Sequence, residues 1–248
     1  MYYFVSDIHL GGGSAEESKA TEARFVKWLD SVGDDAKAIF ICGDMFDFWF
    51  EYKRVAPKGF VRTLGRIASL TDRGIRVVFM AGNHDQWIRD YLAIECGMEI
   101  YTSPHIFDIY GKRVYIAHGD NLNVKSDPLL KLMNSGFRSK WLRVLFSSLV
   151  HPDIALKFGQ WWSGSSRKKH IRNNHKGCDK AQEMLTEHAE GVHARENTDL
   201  HIFGHIHVAV DHTTNSGTRV IFTNDWSQTP YCAIMDESGD IALQKIDI

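Results

Sequence analysis

Cysteine and proline are scarce, with 4 and 5 in 248 residues. Cys42, Cys96, Cys178 and Cys232 lie far apart with no C-x-x-C pair. That spacing excludes a zinc ribbon, a redox motif and a secreted disulfide framework, and it points to a reducing cytoplasm. Long apolar runs are also missing: the longest helix-like stretch, 141–150, is broken by Arg143 and two serines and falls well short of the ~20 residues a membrane span needs. The opening residues carry no basic leader and reach Ser6 and Asp7 after a short apolar run, so they read as a strand and not a signal peptide. Neither sign of charge dominates, since the formal net charge is −2, and there is no internal repeat or low-complexity linker. What remains, 44% hydrophobic and 24% charged with 20 Gly, is the composition of an ordinary globular chain. It excludes collagen-like and disordered classes and suits one α/β core, with or without an insertion.

Short β-branched and aromatic runs recur at 2–5, 38–42, 77–81, 114–117, 200–203, 220–223 and 231–235. Most are too continuously apolar for half-exposed strands, so they predict strands buried within a sheet. Helical spacing covers 17–31, with Ala23, Phe25, Val26 and Leu29 inward, and then 59–72, 87–96 and 180–188. Strand and helix alternate at first and strands dominate the end, which predicts a layered α/β sandwich in place of a purely parallel doubly wound sheet.

The first five strands run into clusters of metal-ligand residue types: Asp7 and His9, Gly43-Asp44, Gly82-Asn83-His84-Asp85, His118-Gly119-Asp120 and Gly204-His205-Ile206-His207. Open α/β sheets bind ligands outside the carboxyl ends of their strands, so the five ends are expected to converge on one site. Divalent ions take carboxylate, neutral imidazole and amide oxygen, and a closely spaced pair needs a carboxylate that bridges them. Asp44, after a glycine where the backbone must turn tightly, is the natural bridge. Asp7 and His9, like His205 and His207, stand two apart and would share a face.

The interval between clusters is 34 to 40 residues except between His118 and His205, where about fifty residues are surplus to that rhythm. Residues 121–176 hold eleven Lys/Arg against Asp127 and Asp153, a net +9 inside a chain of −2. An anionic, phosphate-bearing partner is implied. The same segment is amphipathic: Leu130, Met133, Phe137, Trp141, Val144, Leu145 and Leu149, then Ile154, Leu156, Phe158, Trp161 and Trp162, predict two or three helices. Their apolar faces either pack on one another and on the sandwich or leave room for an amphipathic substrate or a membrane surface.

Taken together, Ser6-Asp7-Ile8-His9, Gly43-Asp44, Gly82-Asn83-His84-Asp85, Ala117-His118-Gly119-Asp120 and Gly204-His205-Ile206-His207 resemble the five motifs of the calcineurin-like metallophosphoesterases. The resemblance implies an α-β-β-α sandwich over 1–120 and 177–248 with a helical cap insertion at 121–176. It implies two divalent ions, with Asp7, His9, Asp44 and His207 on one and Asp44, Asn83, His118 and His205 on the other. The mixed N/O donor set favours Mn2+. His84, oriented by Asp85, becomes the catalytic imidazole that stabilises or protonates the leaving oxygen while water attacks phosphorus in line.

Within that family, the turn at 43–49 and the basic insertion are similar to the subgroup that hydrolyses UDP-2,3-diacylglucosamine in lipid A biosynthesis. His84 stands where the well-known members of the subgroup carry arginine. The similarity implies a lipid-linked sugar nucleotide as substrate, with Lys168, Lys169 and Arg172, after a flexible stretch at 163–166, on its diphosphate. Asp127 is expected at a polar headgroup and Asn83 at both metal and substrate. Peripheral attachment to the cytoplasmic face of the inner membrane follows, and no nucleic acid is expected.

Two rivals use the same residues. A nuclease or nucleotide phosphodiesterase would keep the ion pair and grip a phosphate backbone with the +9 segment, whereas a non-catalytic scaffold has no need of the complete ligand set and His84. Asp47 and Asp120 read as carboxylates steadying ligand histidines. Asn224-Asp225-Trp226 reads as a turn that could line the cleft, and the other histidines, His201 among them, read as structural.

Overall fold

The computed structural model describes residues 1–33, 35–120, 122, 139–172, 176–227 and 229–247. Its strands are β1 (Tyr2–Val5), β2 (Ala38–Ile41), β3 (Arg76–Met80), β4 (Glu99–Tyr101), β5 (His105–Ile109), β6 (Lys112–Ala117), β7 (Leu200–Phe203), β8 (Val210–Thr213), β9 (Arg219–Phe222), β10 (Tyr231–Met235) and β11 (Ile241–Lys245). The described helices are α1 (Ala15–Ser31), α2 (Val61–Asp72), α3 (Tyr91–Cys96), α4 (Lys140–Leu149), α5 (Pro152–Arg172) and α6 (Lys176–Glu196).

Two sheets form, in the orders β11-β10-β1-β2-β3-β4 and β5-β6-β7-β9-β8. β1, β2 and β3 are parallel, with Phe4 opposite Phe40 and Phe40 opposite Val78. In the second sheet β6, β7 and β9 are parallel, with Ile116 opposite Ile202 and Ile202 opposite Ile221. Successive side chains of a strand point to opposite faces, and here both faces are apolar. Val5, Ile39, Ile41, Val77 and Phe79 pack with Phe25 and Leu29 of α1 and Ile67 and Leu70 of α2. Phe4, Phe40, Val78 and Met80 meet Val114, Ile116, Leu200, Ile202 and Ile221 between the sheets. Tyr115, Ala117, Phe203 and Phe222 face Leu185, Ala189 and Val192 of α6. The layers are α-β-β-α, and the strands that precede the five clusters all lie inside the sheets, with β1–β3 pointing one way in the first and β6–β7 one way in the second.

Three local expectations change. The helix anticipated from residue 87 starts at Tyr91, because Trp87 bridges to Phe50 and the buried Glu51 carboxylate accepts from the Arg89 and Tyr91 N–H groups. Residues 87–90 are thus committed to joining the loops after β2 and β3. The helix expected at 180–188 is the middle of the 21-residue α6. The stretch at 163–166 is not a flexible joint but part of α5, with Ser163 buried.

The helices of the basic segment dock on those same loops. Tyr52 Oη donates to the Val150 carbonyl at 2.9 Å, Arg143 donates to the Ile88 carbonyl at 3.3 Å, and the Phe146 ring meets Phe50 and Trp87. Outward, Trp141 is 86% exposed, Leu149 76% and Trp161 66%, so the apolar stripe is not consumed by packing among the described residues. Among them, no helix is long and apolar enough to cross a membrane.

Candidate metal centre

The clusters converge because the chain turns sharply where each strand ends. Asp7, His9, Asp44, His205 and His207 have φ between 50° and 70°, the left-handed region. A residue with a β-carbon pays roughly 1–2 kcal/mol to sit there, and such conformations persist where surrounding structure fixes them, commonly at functional sites. Strand alternation, expected to align Asp7 with His9, is therefore replaced by left-handed turns that aim both at one point. Neighbouring glycines make room: a β-carbon on Gly43, at φ 98°, would strike the His118 ring, and one on Gly82 would strike the Asp44 carboxylate.

In one group, His207 Nε2 lies 3.3 Å from Asp7 Oδ1 and 3.2 Å from His9 Nε2. In the other, His118 Nε2 lies 3.1 Å from Asp44 Oδ2 and 3.2 Å from Asn83 Oδ1, and ligand atoms of Asp44, His118 and His205 all fall within 4.8 Å of one another. Asp44 Oδ2 is also 4.0 Å from His9 Nε2, which puts one carboxylate within reach of both groups. The residues expected to hold metal are thus brought together, and their nitrogen and oxygen donors suit a pair of borderline divalent ions.

Asp7, His118 and His207 are oriented from behind. Asp7 accepts from the Ser6 hydroxyl and the His205 N–H. His118 Nδ1 donates to the Cys42 carbonyl at 3.0 Å, leaving Nε2 toward Asp44. His9 Nδ1 lies 3.8 Å from Asp47 Oδ1, beyond hydrogen-bond reach, whereas His207 Nδ1 meets Asp225 Oδ2 at 3.1 Å. A partner of this kind fixes which ring nitrogen is presented to a metal. The turn at Asn224-Asp225-Trp226 therefore reaches the site through Asp225.

Burial pushes the imidazoles of His9 and His205 down to about 3, so near neutral pH both are uncharged and offer a lone pair. Burial opposes the charge on Asp7, yet the hydrogen bond and charge of His207 hold it down to about 2. Asp44 likewise sits well below the carboxylate range, with burial outweighed by His118 and His84. Burial lowers His207, but Asp225 and Asp7 raise it to about 10.

His84 stands beside this cluster, its Nε2 3.8 Å from Asp44 Oδ2 and its backbone N–H donating to Asp44 Oδ1 at 2.9 Å. The expected pairing with Asp85 is not formed. The turn curls the buried Asp85 carboxylate back onto the Gly82 N–H at 2.7 Å and across to the Phe46 N–H at 3.3 Å, so it ties two loops together. His84 Nδ1 instead lies 2.7 Å from the Asp47 carbonyl and 3.0 Å from Ser163 Oγ on α5. Nothing in the sequence marks Ser163, 79 residues from His84 and outside every strand-end motif. Asp127 lies outside the described residues, and so do the side chains of Lys168, Lys169 and Arg172, whose backbone belongs to the C-terminal part of α5.

Comparison with known proteins adds a lineage to this geometry. A UDP-2,3-diacylglucosamine hydrolase of Porphyromonas gingivalis is 36% identical over 246 residues, covering 94% of this chain and 93% of its own. One of Haemophilus influenzae is 28% identical, with 98% of each chain covered. Among solved structures, an archaeal phosphodiesterase aligns over 99% of both chains at 13% identity and a TM-score of 0.49. The calcineurin-like phosphoesterase family model matches residues 2–209, a span that holds all five turns that bring the candidate donors together. This chain belongs to the calcineurin-like phosphoesterases and is a metal-dependent hydrolase.

Proposed function

We propose that the substrate is UDP-2,3-diacylglucosamine, cleaved at its pyrophosphate to UMP and 2,3-diacylglucosamine 1-phosphate. The observation that carries this reading is the adjacency of the ligand cluster to an exposed apolar face. α5 seats Ser163 against His84, and on the same helix Phe158 and Trp161 stand 51% and 66% exposed. A nuclease accounts for the charge of the basic segment and would stack bases on those rings, but it gives the exposed aliphatic side chains beside them, Leu145, Leu149 and Ile154, nothing to do. Relatives of matching length that carry the name of this activity support the same substrate.

Two Mn2+ ions would be held by Asp7, His9, Asp44 and His207, and by Asp44, Asn83, His118 and His205. When bound, such ions neutralise phosphoryl oxygens and raise the acidity of the attacking water. Residues of the chain do the rest. His9 and His205, kept neutral by burial, present lone pairs. His84 holds its Nδ1 hydrogen toward Asp47 and Ser163, which directs Nε2 to the cluster, where it hydrogen-bonds the leaving oxygen. Lys168, Lys169 and Arg172 neutralise the diphosphate, Asn83 also contacts substrate, and Asp127 meets a polar headgroup. Residues 121–176 act as a cap whose apolar side takes the acyl chains and rests on the cytoplasmic face of the inner membrane.

The test is to incubate the Mn2+-supplied protein with UDP-2,3-diacylglucosamine, CDP-diacylglycerol and single-stranded DNA. Release of UMP from the first is expected, and consumption of DNA alone would overturn the assignment.

A further inference from the structure

We propose that Ser163 is a positioning residue for His84, so that seating α5 on the sandwich sets the imidazole that serves the reaction. The inference rests on the reading of His84 given above and adds how that residue is controlled. Ser163 is 1% exposed, and its hydroxyl is 3.0 Å from His84 Nδ1. The same nitrogen is 2.7 Å from the Asp47 carbonyl. A carbonyl only accepts, so Nδ1 carries the hydrogen, and Ser163 Oγ accepts a share of it. Nε2 is then the nitrogen turned to the cluster. The His9 ring packs edge-on against that of His84 at 4.9 Å, and with Asp47 as the only acceptor Nδ1 is held by one hydrogen bond, whereas two acceptors on separate elements fix the direction of its N–H.

The helix that brings Ser163 is keyed to the same loop. Gly159 is four residues before Ser163 and on the same helix face. A β-carbon there would collide with the Phe48 ring, so the helix comes this close only because that position is glycine. Asp47 supplies one acceptor, its neighbour Phe48 supplies the seat, and α5 supplies the second acceptor. When α5 is displaced from Phe48, His84 loses one of the two acceptors on its Nδ1.

A double-mutant cycle on the Mn2+-loaded full chain tests this. It is read with UDP-2,3-diacylglucosamine and, in parallel, with bis(p-nitrophenyl) phosphate. Ser163→Ala is expected to lower kcat about tenfold while KM stays within about twofold, and Ser163→Thr is expected to restore most of the loss. On a His84→Ala background, Ser163→Ala should change nothing further. Gly159→Ala should lower kcat in the same way and also lose its effect on that background. Equal losses on both backgrounds, or a loss confined to KM, overturn the proposal. If Ser163→Ala fails to fold by circular dichroism, Ser163→Cys and Gly159→Ala carry the same cycle. Turnover of the nitrophenyl ester without the lipid nucleotide sinks the substrate reading and leaves the coupling measurable. With neither turned over, NMR of the ring nitrogens decides: an Nδ1-protonated His84 that Ser163→Ala leaves unchanged counts against the proposal, and one that it perturbs supports it.

Discussion

Asp225 and His207 form a directed pair: Asp225 Oδ2 is 3.1 Å from His207 Nδ1, while the opposite ring nitrogen points to Asp7. Asp225 fixes the ring tautomer and raises the basicity of Nε2, the atom that would bind metal. Asp225→Asn keeps the shape of the turn and removes the charge. Affinity for one of the two ions should fall by about tenfold, with the other little changed. Metal titration by calorimetry resolves the two sites, and an unaltered pair of affinities would refute the role.

The same pair sets a pH dependence. Burial opposes the charge on both His207 and His118, yet Asp225 and Asp7 raise His207 to about 10, and the charge and hydrogen bond of Asp44 raise His118 well above its usual value. A metal takes the lone pair that a proton otherwise holds, so loading near neutral pH should release protons, and apparent affinity should rise with pH. The release per ion should shrink as the solution approaches the His207 value. Calorimetry in two buffers of different ionisation enthalpy counts those protons; a count of zero near neutrality contradicts the assignment.

Gly82 guards the Asp44 carboxylate, which lies within reach of both groups of donors. A β-carbon there would press on both the carboxylate and the backbone nitrogen of Asp44. Gly82→Ala should therefore displace Asp44, cutting bound metal and activity by about a hundredfold and destabilising the fold by roughly 1–3 kcal/mol from overpacking. Asp44→Asn is the comparison, since it should lose the metal without the packing cost. If Gly82→Ala retains full metal content and Tm, the close approach is not functional.

The contrast between what the sequence announced and what it hid has a physical basis. All seven strands expected from apolar runs are present, within a residue or two at their ends. The four that were not anticipated are β4, β5, β8 and β11, and these are the four edges of the two sheets. An edge strand is covered less completely, so Val-Asp-His-Thr in β8 or Ile-Ala-Leu-Gln-Lys in β11 carries too many polar residues to stand out from a loop. The donors that the structure gathers were legible because each lies within a few residues of the end of an apolar strand. The partners that orient them were not: Asp225, the Cys42 carbonyl, the Asp47 carbonyl and Ser163 reach the site through tertiary packing, which leaves no spacing to read. Asp85 misled for the opposite reason, since adjacency to His84 in sequence suggested a contact that the turn directs elsewhere.

The apolar outer surface of α4 and α5 bears on membrane contact. Trp141 and Leu149 are 86% and 76% exposed, so replacing both with serine should change stability by no more than about 1 kcal/mol. Binding to vesicles of phosphatidylethanolamine and phosphatidylglycerol should fall several-fold, as should turnover of the diacylated nucleotide, while hydrolysis of bis(p-nitrophenyl) phosphate stays at its original rate. Undiminished vesicle binding would show that this face does not meet lipid.

His201 offers a test of stability remote from the metal site. Its ring is buried in β7 against Tyr115 and Phe203 and contacts Thr198 Oγ1 at 3.0 Å. Burial pushes it down to about 4, below the value of 6.5 that it takes when unfolded. Between those values the unfolded chain binds the proton and the folded chain does not, so stability rises with pH across this window and falls on acidification. The slope from one such group approaches about 1.4 kcal/mol per pH unit. His201→Phe, which fits the aromatic surroundings, should cost about 1 kcal/mol at neutral pH from the stranded Thr198 hydroxyl and then lose less stability than the original protein as pH drops. The quantity to compare is the difference between the two urea-unfolding curves at each pH, because His9 and His205 contribute the same acid-side loss to both; a difference that stays flat from neutral pH to about pH 4 would show that His201 is not the group held neutral.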